Sequence, residues 1–398
     1  MRMKHITLLL LLLFTFNPCL RAQKKELSQA RAFIKSGKSL DKAEQLMDQL
    51  LAQPEHQQNL KLHAARYDAV YAQYEEANKR FYLKQQQDTA AYFNLLRRLY
   101  LVAEAMDSVD AAPDQKGRVK PEYRDRHAEA LTRLLPNLYS AGPFFVKKQQ
   151  WQQAFTFYET YLDCYQQPLL EQSLKNEEAD KLQRRKVQAA YWALYSAYRM
   201  DDAVRTLRYR ELALQDEQKR EHTLQYVAEA WLQLKDDSMY VATLQQGFSL
   251  YPQNIYFFPR LIDSYTSVGK YEKALETADR ALETCDTCRL YLFAKSSLLL
   301  NLGRNDEALS YAQQVAGEDY PEACFTAATA LLNKVAHLNE RKDKAQIRQL
   351  YAEARPYMEQ FRQYAPEAKD RWAPALYRIY LNLNMGKQFD EIDRLLKN

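Results

Sequence analysis

Glycine and proline are scarce in this chain, with 8 and 13 among its 398 residues. Because glycine is the usual residue where the backbone needs a positive φ, few turns of that kind are expected. This scarcity disfavours Gly-rich nucleotide-binding loops and β-sandwiches, and it favours long helices joined by short connections. Hydrophobic residues make up 47% of the sequence, which is enough for a folded core and argues against general disorder.

The sequence also lacks an apolar run of bilayer length. Its N-terminal run, residues 8–16, is too short to span a membrane comfortably, and no later run approaches about 18 residues. A basic start at Arg2 and Lys4 precedes the run, and Ala22 supplies a small residue for cleavage. These features predict a cleaved secretory signal over residues 1–22, with a retained anchor as the alternative. No membrane span is expected in the mature chain.

Cys19 raises a further alternative for the export segment, a lipidated N-terminus. Asn17 and Pro18 precede it, and neither is the small residue that usually stands before a lipidated cysteine. The sequence therefore favours cleavage after Ala22 over lipidation at Cys19.

The mature chain carries almost no excess of charge. Removing residues 1–22 lowers the count of Lys and Arg from 56 to 53, while the count of Asp and Glu stays at 51. A protein that binds nucleic acid through its phosphates normally shows a basic excess. No nucleic-acid partner is therefore expected.

Small residues recur at a constant interval in the second half of the chain, and we call the step from Gly269 to Gly303 the repeat interval. Large side chains recur at the same interval, in the series Trp231, Tyr265 and Leu299. A fixed interval of this size is typical of stacked repeat units. The small pairs are Gly269 with Gly303, Ala274 with Ala308, and Ala278 with Ala312.

Each of these units predicts a pair of helices. Leu261, Ile262 and Tyr265 fall on one helical face, and Gly269 then ends that helix. A second helix follows, and its small residues permit close approach of its partner. One such hairpin cannot bury its own apolar stripe, so neighbouring hairpins must cover one another. The small residues of the second helix are Ala274, Ala278 and Ala281.

This pattern resembles the tetratricopeptide repeat family. The resemblance extends from about residue 130 to the C-terminus and is strongest over residues 261–281. It implies an all-α fold, a right-handed solenoid of antiparallel helical hairpins. Residues 166–185 and 337–349 depart from the pattern and predict longer helices or exposed loops.

Three segments are predicted from these observations. Residues 1–22 form the signal peptide, residues 23–130 form degenerate helical repeats, and residues 131–398 form the regular array. Residues 111–122 contain two prolines and one glycine and predict the longest loop or a hinge.

The family resemblance implies a concave groove, lined by the first helix of each hairpin, that holds a peptide or a helix of another protein. Some family members clamp a terminal carboxylate with Lys and Asn on these helices. The corresponding positions here are Pro259 and Asp263, then Phe293 and Ser297, so this clamp is not expected. The candidate groove residues are His222, Gln225, Glu229, Tyr256, Arg260, Asp263, Phe293 and Ser297.

Cys285 and Cys288 form the one Cys-x-x-Cys pair in the sequence. A redox centre of the thioredoxin type needs such a pair at a helix N-terminus beside a sheet, and no sheet is expected here. A structural disulfide formed in an oxidising compartment is the favoured interpretation. Two free thiols and a redox or metal function are the alternatives.

Catalytic and metal-binding motifs are not found. No His-Glu-x-x-His and no second Cys-x-x-Cys completes a zinc site, and no Gly-x-Ser-x-Gly marks a hydrolase. The acidic residues are scattered at the spacing of solvated helix surfaces. We therefore expect no catalytic residues, no cofactor and no metal, and we do not expect an enzyme.

These observations favour a scaffold that binds another protein or peptide in the groove of its repeat array. The Leu-rich signal and the C-terminal run over residues 380–386 resemble exported repeat proteins of Bacteroidetes-type bacteria. The expected location is therefore the periplasm or cell surface of a Gram-negative bacterium. A carbohydrate-binding accessory protein, and an enzyme whose site follows no motif, are the alternatives. The identity of the partner and the oligomeric state are not determined by the sequence.

Overall fold

The computed structural model describes residues 17–85, 88–175 and 179–397. Most of the predicted signal peptide, residues 1–16, lies outside the described residues. The chain divides into two compact units, Met1–Ala230 and Trp231–Asn398. The division predicted at residue 130 stays a prediction. Among the described residues, no helix is long and apolar enough to cross a bilayer.

The first unit is built from helices that follow one another closely. A short 3-10 turn, Pro54–His56, lies between the second and third of them. The helices are α1 (Asn17–Ser36), α2 (Leu40–Leu51), α3 (Leu60–Tyr82), α4 (Thr89–Asp110), α5 (Arg124–Lys147), α6 (Trp151–Asp163), α7 (Glu171–Leu174), α8 (Ala179–Arg199), α9 (Ala203–Arg208), α10 (Arg210–Ala213) and the greater part of α11 (Arg220–Gln233).

The second unit continues with helices of 9 to 21 residues. Outside the helices, its backbone pairing is one isolated bridge between Gly317 and Tyr320, and the described residues contain no β-strand. The helices are α12 (Asp237–Leu250), α13 (Phe257–Thr266), α14 (Tyr271–Thr284), α15 (Arg289–Asn301), α16 (Asn305–Gln313), α17 (Pro321–Ala336), α18 (Lys344–Tyr364), α19 (Lys369–Leu383) and α20 (Gly386–Lys397).

Consecutive helices pack against one another within each unit. In the second unit, α13 packs on α14, α15 on α16, α17 on α18 and α19 on α20, and each pair also contacts its neighbour. Connections of a few residues require the paired helices to be antiparallel. The predicted all-α stack of antiparallel hairpins is confirmed.

A common backbone turn joins the two helices of most hairpins. One residue takes a positive φ, and the next residue donates its N–H to the carbonyl five positions earlier, as in a Schellman turn. In the turn at Gly269, for example, φ is 72° and Lys270 N–H donates to the Tyr265 carbonyl at 2.9 Å. The positive-φ residues of the turns that share this bond are Lys84, Gln149, Asp201, Lys235, Gly269, Gly303 and Asn384.

These turns set the repeat register of α8. Tyr198 stands 33 residues before Trp231, one position short of the full repeat interval. In the structure the turn carbonyls belong to Ala197, Trp231, Tyr265 and Leu299, and each step in this series equals the repeat interval. The small Ala197, rather than the aromatic Tyr198, is therefore the equivalent of Trp231.

Neighbouring hairpins approach closely where a glycine faces an aromatic ring. A Cβ atom on Gly247 of α12 would lie 2.3 Å from the Phe257 ring of α13. Gly247 is buried inside its helix, in the last turn, and glycine within a helix costs up to about 1 kcal/mol relative to alanine. The close contact therefore depends on the missing side chain.

Buried His127 of α5 packs against α3 in the first unit. Its ring stacks on Tyr67 with centroids 3.7 Å apart, and the residue is 3% exposed. Burial, and to a lesser degree the nearby Arg126 charge, lowers the pKa of His127 to about 4. The folded state thus holds a neutral imidazole where the unfolded chain would hold a charged one at mildly acidic pH.

Replacing the residue at the positive-φ position should change stability in opposite directions in two equivalent turns. Lys235→Gly should raise the free energy of unfolding by about 1 kcal/mol because a side chain disfavours this φ, and Gly269→Ala should lower it by a similar amount. Denaturant titration followed by circular dichroism measures both. Glu276→Gly, at an exposed position in the middle of α14, is the control and should destabilise by about 1 kcal/mol. Destabilisation by Lys235→Gly would contradict the assigned turn.

His127→Phe should flatten the acid side of the stability profile. The folded pKa of about 4 lies below the usual value near 6.5, so the unfolded state binds more protons between these values, and stability falls as pH falls through that window. This residue accounts for about 2–3 kcal/mol of the loss between about pH 7.5 and 4.5. Urea titrations at the two pH values measure it. An equal acid loss in wild type and variant would show that His127 titrates normally.

Candidate functional site

The first helices of two neighbouring hairpins in the second unit, α13 and α15, enclose a groove. Its volume is about 670 Å³, and its lining comes from these two helices, their flanks and Tyr271 at the start of α14. We call it the α13/α15 groove. Three of the predicted groove residues, Asp263, Phe293 and Ser297, line it together.

The floor of the α13/α15 groove is apolar and fixed in place. Phe258, Ile262 and Leu298 contribute buried side chains. The Phe258 ring meets the Tyr291 ring edge-on at 4.6 Å, and the Tyr291 hydroxyl donates to the Pro252 carbonyl at 2.7 Å. Half-buried Phe293 packs against the Tyr320 ring, so aromatic contacts hold the floor in place at both ends.

The rim of the groove is polar. Thr266 donates its hydroxyl to the Asp263 carbonyl at 3.2 Å, Ser267 donates to the Ser264 carbonyl at 3.1 Å, and the Asn301 amide donates to the Ser297 carbonyl at 2.9 Å. Each of these side-chain oxygens keeps acceptor capacity toward the groove. The rim therefore offers hydrogen-bond acceptors at intervals along both helices.

Asp263 is the acidic group of the lining. Its side chain is exposed, and no hydrogen bond or ion pair to its carboxylate is found in the described part of the chain. An uncompensated carboxylate at the edge of an apolar groove favours a cationic group of a ligand. Among the described lining residues there is no histidine or cysteine.

Lys295 connects α15, which forms one wall of the groove, to its two neighbouring helices. Its ammonium lies 2.7 Å from an Asp279 carboxylate oxygen of α14 and donates to the Tyr311 hydroxyl of α16 at 2.9 Å. Burial lowers the pKa of Lys295, but the bonds to Asp279 and Tyr311 outweigh it and leave the pKa raised. The ion pair with Asp279 and the hydrogen bond to Tyr311 hold α15 against both neighbouring helices, and so they preserve the groove.

The other predicted groove residues lie elsewhere. Tyr256 precedes α13, and the Arg260 guanidinium stacks on its ring at 3.9 Å and donates to the Tyr256 carbonyl at 3.2 Å. Neither residue lines the α13/α15 groove. In the first unit, α11 carries exposed His222 and half-buried Gln225 and Glu229.

Sequence reasoning missed several residues of the same surface. Thr266 and Ser267 follow Asp263 by three and four positions, and Asn301 follows Ser297 by four, so helical periodicity could have found them. The register set by the turns also shows that Tyr195 occupies the position of Asp263, two repeat intervals earlier.

Cys285 and Cys288 carry free thiols in this structure, and both are half-buried. The Cys288 N–H donates to the Cys285 carbonyl at 3.3 Å, which closes a turn directly before α15. The favoured disulfide and its alternatives stay predictions. Within the described residues, no group of three or more His, Cys, Asp or Glu side chains is placed to hold a metal ion.

Among known proteins, several solved structures are similar to this chain. No family model and no curated protein matches the chain. The chain is similar to the C-terminal part of a TPR repeat-containing protein from Cytophaga hutchinsonii, with 11% identity, coverage of 64% of this chain and 92% of that one, and a TM-score of 0.41.

It is also similar to YrrB, described as a TPR protein with an unusual peptide-binding site, at 16% identity, 48% and 93% coverage and a TM-score of 0.35. The P58(IPK) TPR domain covers 94% of this chain and 98% of its own length at 12% identity and a TM-score of 0.26. The all-helical repeat fold is shown by the hairpins themselves. The described chain is an all-helical protein of stacked hairpins, and its regularly spaced repeats resemble tetratricopeptide repeats.

Proposed function

We propose that this chain is a protein-binding scaffold of the bacterial cell envelope, and that it receives an extended peptide segment of its partner in the α13/α15 groove. The observation that carries the proposal is the meeting of Asp263, Phe293 and Ser297 around one apolar-floored groove of about 670 Å³. A groove of this size accepts a few residues of peptide rather than a folded domain.

The lining specifies the chemistry of the bound segment. Apolar side chains of the peptide cover Ile262 and Phe293, where they are removed from water at a gain of about 25 cal/mol per Å². A Lys or Arg of the peptide pairs with Asp263. Peptide N–H groups donate to the hydroxyl oxygens of the rim. The ligand is therefore an apolar segment with a basic residue.

The envelope location rests on the predicted export signal. If residues 1–22 are removed at Ala22, the protein isolated from its native source should begin at Gln23. Intact-mass measurement and N-terminal sequencing of the purified native protein test this expectation. A retained Met1 would instead indicate an uncleaved anchor. A lipid mass on Cys19 would indicate a lipoprotein.

The carbohydrate-binding alternative needs coplanar exposed rings along one face. Among the exposed and half-buried rings of the first unit, Tyr195 is tilted by 50° and Tyr198 by 32° relative to Tyr226. Tyr191 is parallel to Tyr195 within 9°, but Tyr191 is buried. Rings tilted in this way do not form the flat surface on which a sugar ring packs. We therefore favour the protein-binding proposal.

A photo-crosslinking amino acid at Asn301 should capture the partner in the native organism, because Asn301 lies on the rim of the groove. The same amino acid at exposed Ser310 of α16 is the control and should capture little. Mass spectrometry identifies the crosslinked species. Equal capture from both positions would show that contact is not confined to the groove.

Ser297→Arg should weaken binding of the purified partner at least about tenfold, because a long charged side chain fills an apolar groove. Ser310→Arg, the matched change on the neighbouring helix, should leave the dissociation constant unchanged. Calorimetry measures both constants, and circular dichroism confirms that both variants fold. Unchanged binding by Ser297→Arg would exclude the α13/α15 groove as the binding site.

A further inference from the structure

Arg199, at the end of α8 in the first unit, is held rigidly at the surface. Its guanidinium carbon lies 4.6 Å from the centre of the Trp151 ring and 5.8 Å from that of Tyr195. One guanidinium nitrogen donates to the Tyr195 hydroxyl at 2.9 Å. Stacking and this bond fix the planar group, so less side-chain entropy is lost when a ligand binds it.

The charge of Arg199 has no counter-ion among the described residues. Nearby arginines do have one: Arg205 pairs with Asp202 at 3.5 Å, and Arg208 pairs with Glu159 at 2.5 Å. Arg199 is exposed, and its remaining N–H groups are not consumed by the neutral tyrosine hydroxyl. An arginine fork of this kind matches the two oxygens of a carboxylate.

An aromatic surface continues from this arginine. Tyr226 of α11 lies 5.5 Å from Tyr195 and 4.4 Å from Tyr198, measured between ring centroids. Tyr198 is 37% exposed, and Tyr195 and Tyr226 are half-buried. The rings meet at angles, so they form a corrugated surface that fits the side chains of a peptide better than the flat face of a sugar.

We propose that Arg199, Tyr198 and Tyr226 form a second binding site, which takes an acidic peptide segment. A Glu or Asp carboxylate of the ligand receives paired N–H bonds from Arg199. A neighbouring aromatic or proline residue of the ligand packs on Tyr198 and Tyr226. This site is distinct from the α13/α15 groove in its residues and in its charge preference, since that groove offers Asp263 to a cation.

The position of the site within its hairpin supports this role. Tyr195 is the equivalent of Asp263 in the register set by the turns, and Arg199 is the equivalent of Ser267. Both Asp263 and Ser267 line the α13/α15 groove. The first helix of this hairpin therefore presents to a ligand the same face that α13 presents, with Tyr195 in place of Asp263 and Arg199 in place of Ser267.

A phage-displayed library of random short peptides, selected on the full chain, tests the site. Wild type should enrich peptides that combine Glu or Asp with an aromatic residue or proline, and Arg199→Gln should lose that enrichment. Fluorescence anisotropy with the most enriched peptide should show at least about tenfold weaker binding to Arg199→Gln, because a charge-assisted bond pair is lost. Arg199→Lys keeps the charge without the planar fork and should fall between the two.

Two controls make the result specific. Arg133→Gln removes an exposed arginine of α5 that pairs with Glu129 within its own helix, and it should bind like wild type. Tyr198→Ser should weaken binding severalfold, because it removes the exposed ring. Replacing Glu and Asp of the peptide by Gln and Asn should abolish the difference between wild type and Arg199→Gln.

The outcomes separate cleanly. Absence of acidic enrichment, or acidic peptides that bind Arg199→Gln as well as wild type, overturns the proposal. Oligogalacturonate, an acidic sugar polymer, is tested in parallel, and Arg199-dependent binding of it without peptide binding would assign the site to an acidic glycan instead. Because Arg199→Gln leaves the α13/α15 groove intact, capture through Asn301 is unaffected, and failure here does not bear on the groove.

Discussion

The turn inside most of the hairpins is the constraint on which the rest of this structure depends. A residue of positive φ followed by an N–H bond to the carbonyl five positions back reverses the chain in a fixed direction. The turns at Lys235, Gly269 and Gly303 share this geometry, and each follows the one before it by the repeat interval. Equal turns give equal hairpins, so side chains at equivalent positions of α13 and α15, such as Asp263 and Ser297, face the same groove.

Small residues allow the hairpins to stack. Ala274, Ala278 and Ala281 of α14 are wholly buried, and Gly247 leaves the space that the Phe257 ring occupies. Close helix contact buries the apolar stripe that a single hairpin would expose to water. The face of the first helices that is not used for this packing remains open, and the α13/α15 groove lies there.

The chemistry of the open face differs between hairpins although the backbone repeats. Asp263 places an unpaired acid beside the apolar floor of one groove, whereas Arg199 places an unpaired cation on the aromatic surface of the first unit, as judged over the described part of the chain. Packing fixes the buried positions of each repeat, but it does not constrain these exposed ones. A repeat array can therefore present ligand sites of opposite charge on equivalent helix faces, each selecting a different peptide segment.

The sequence alone determined the helical fold, the repeat interval, and the shared face of Phe293 and Ser297 on one helix, because the helical period and the small residues are local properties. Tertiary structure decided the register of α8, where Ala197 rather than Tyr198 accepts the turn bond. It also brought Arg199 onto Trp151. The period of a helix shows which of its own residues share a face, but which neighbouring side chains meet that face depends on how the hairpins pack.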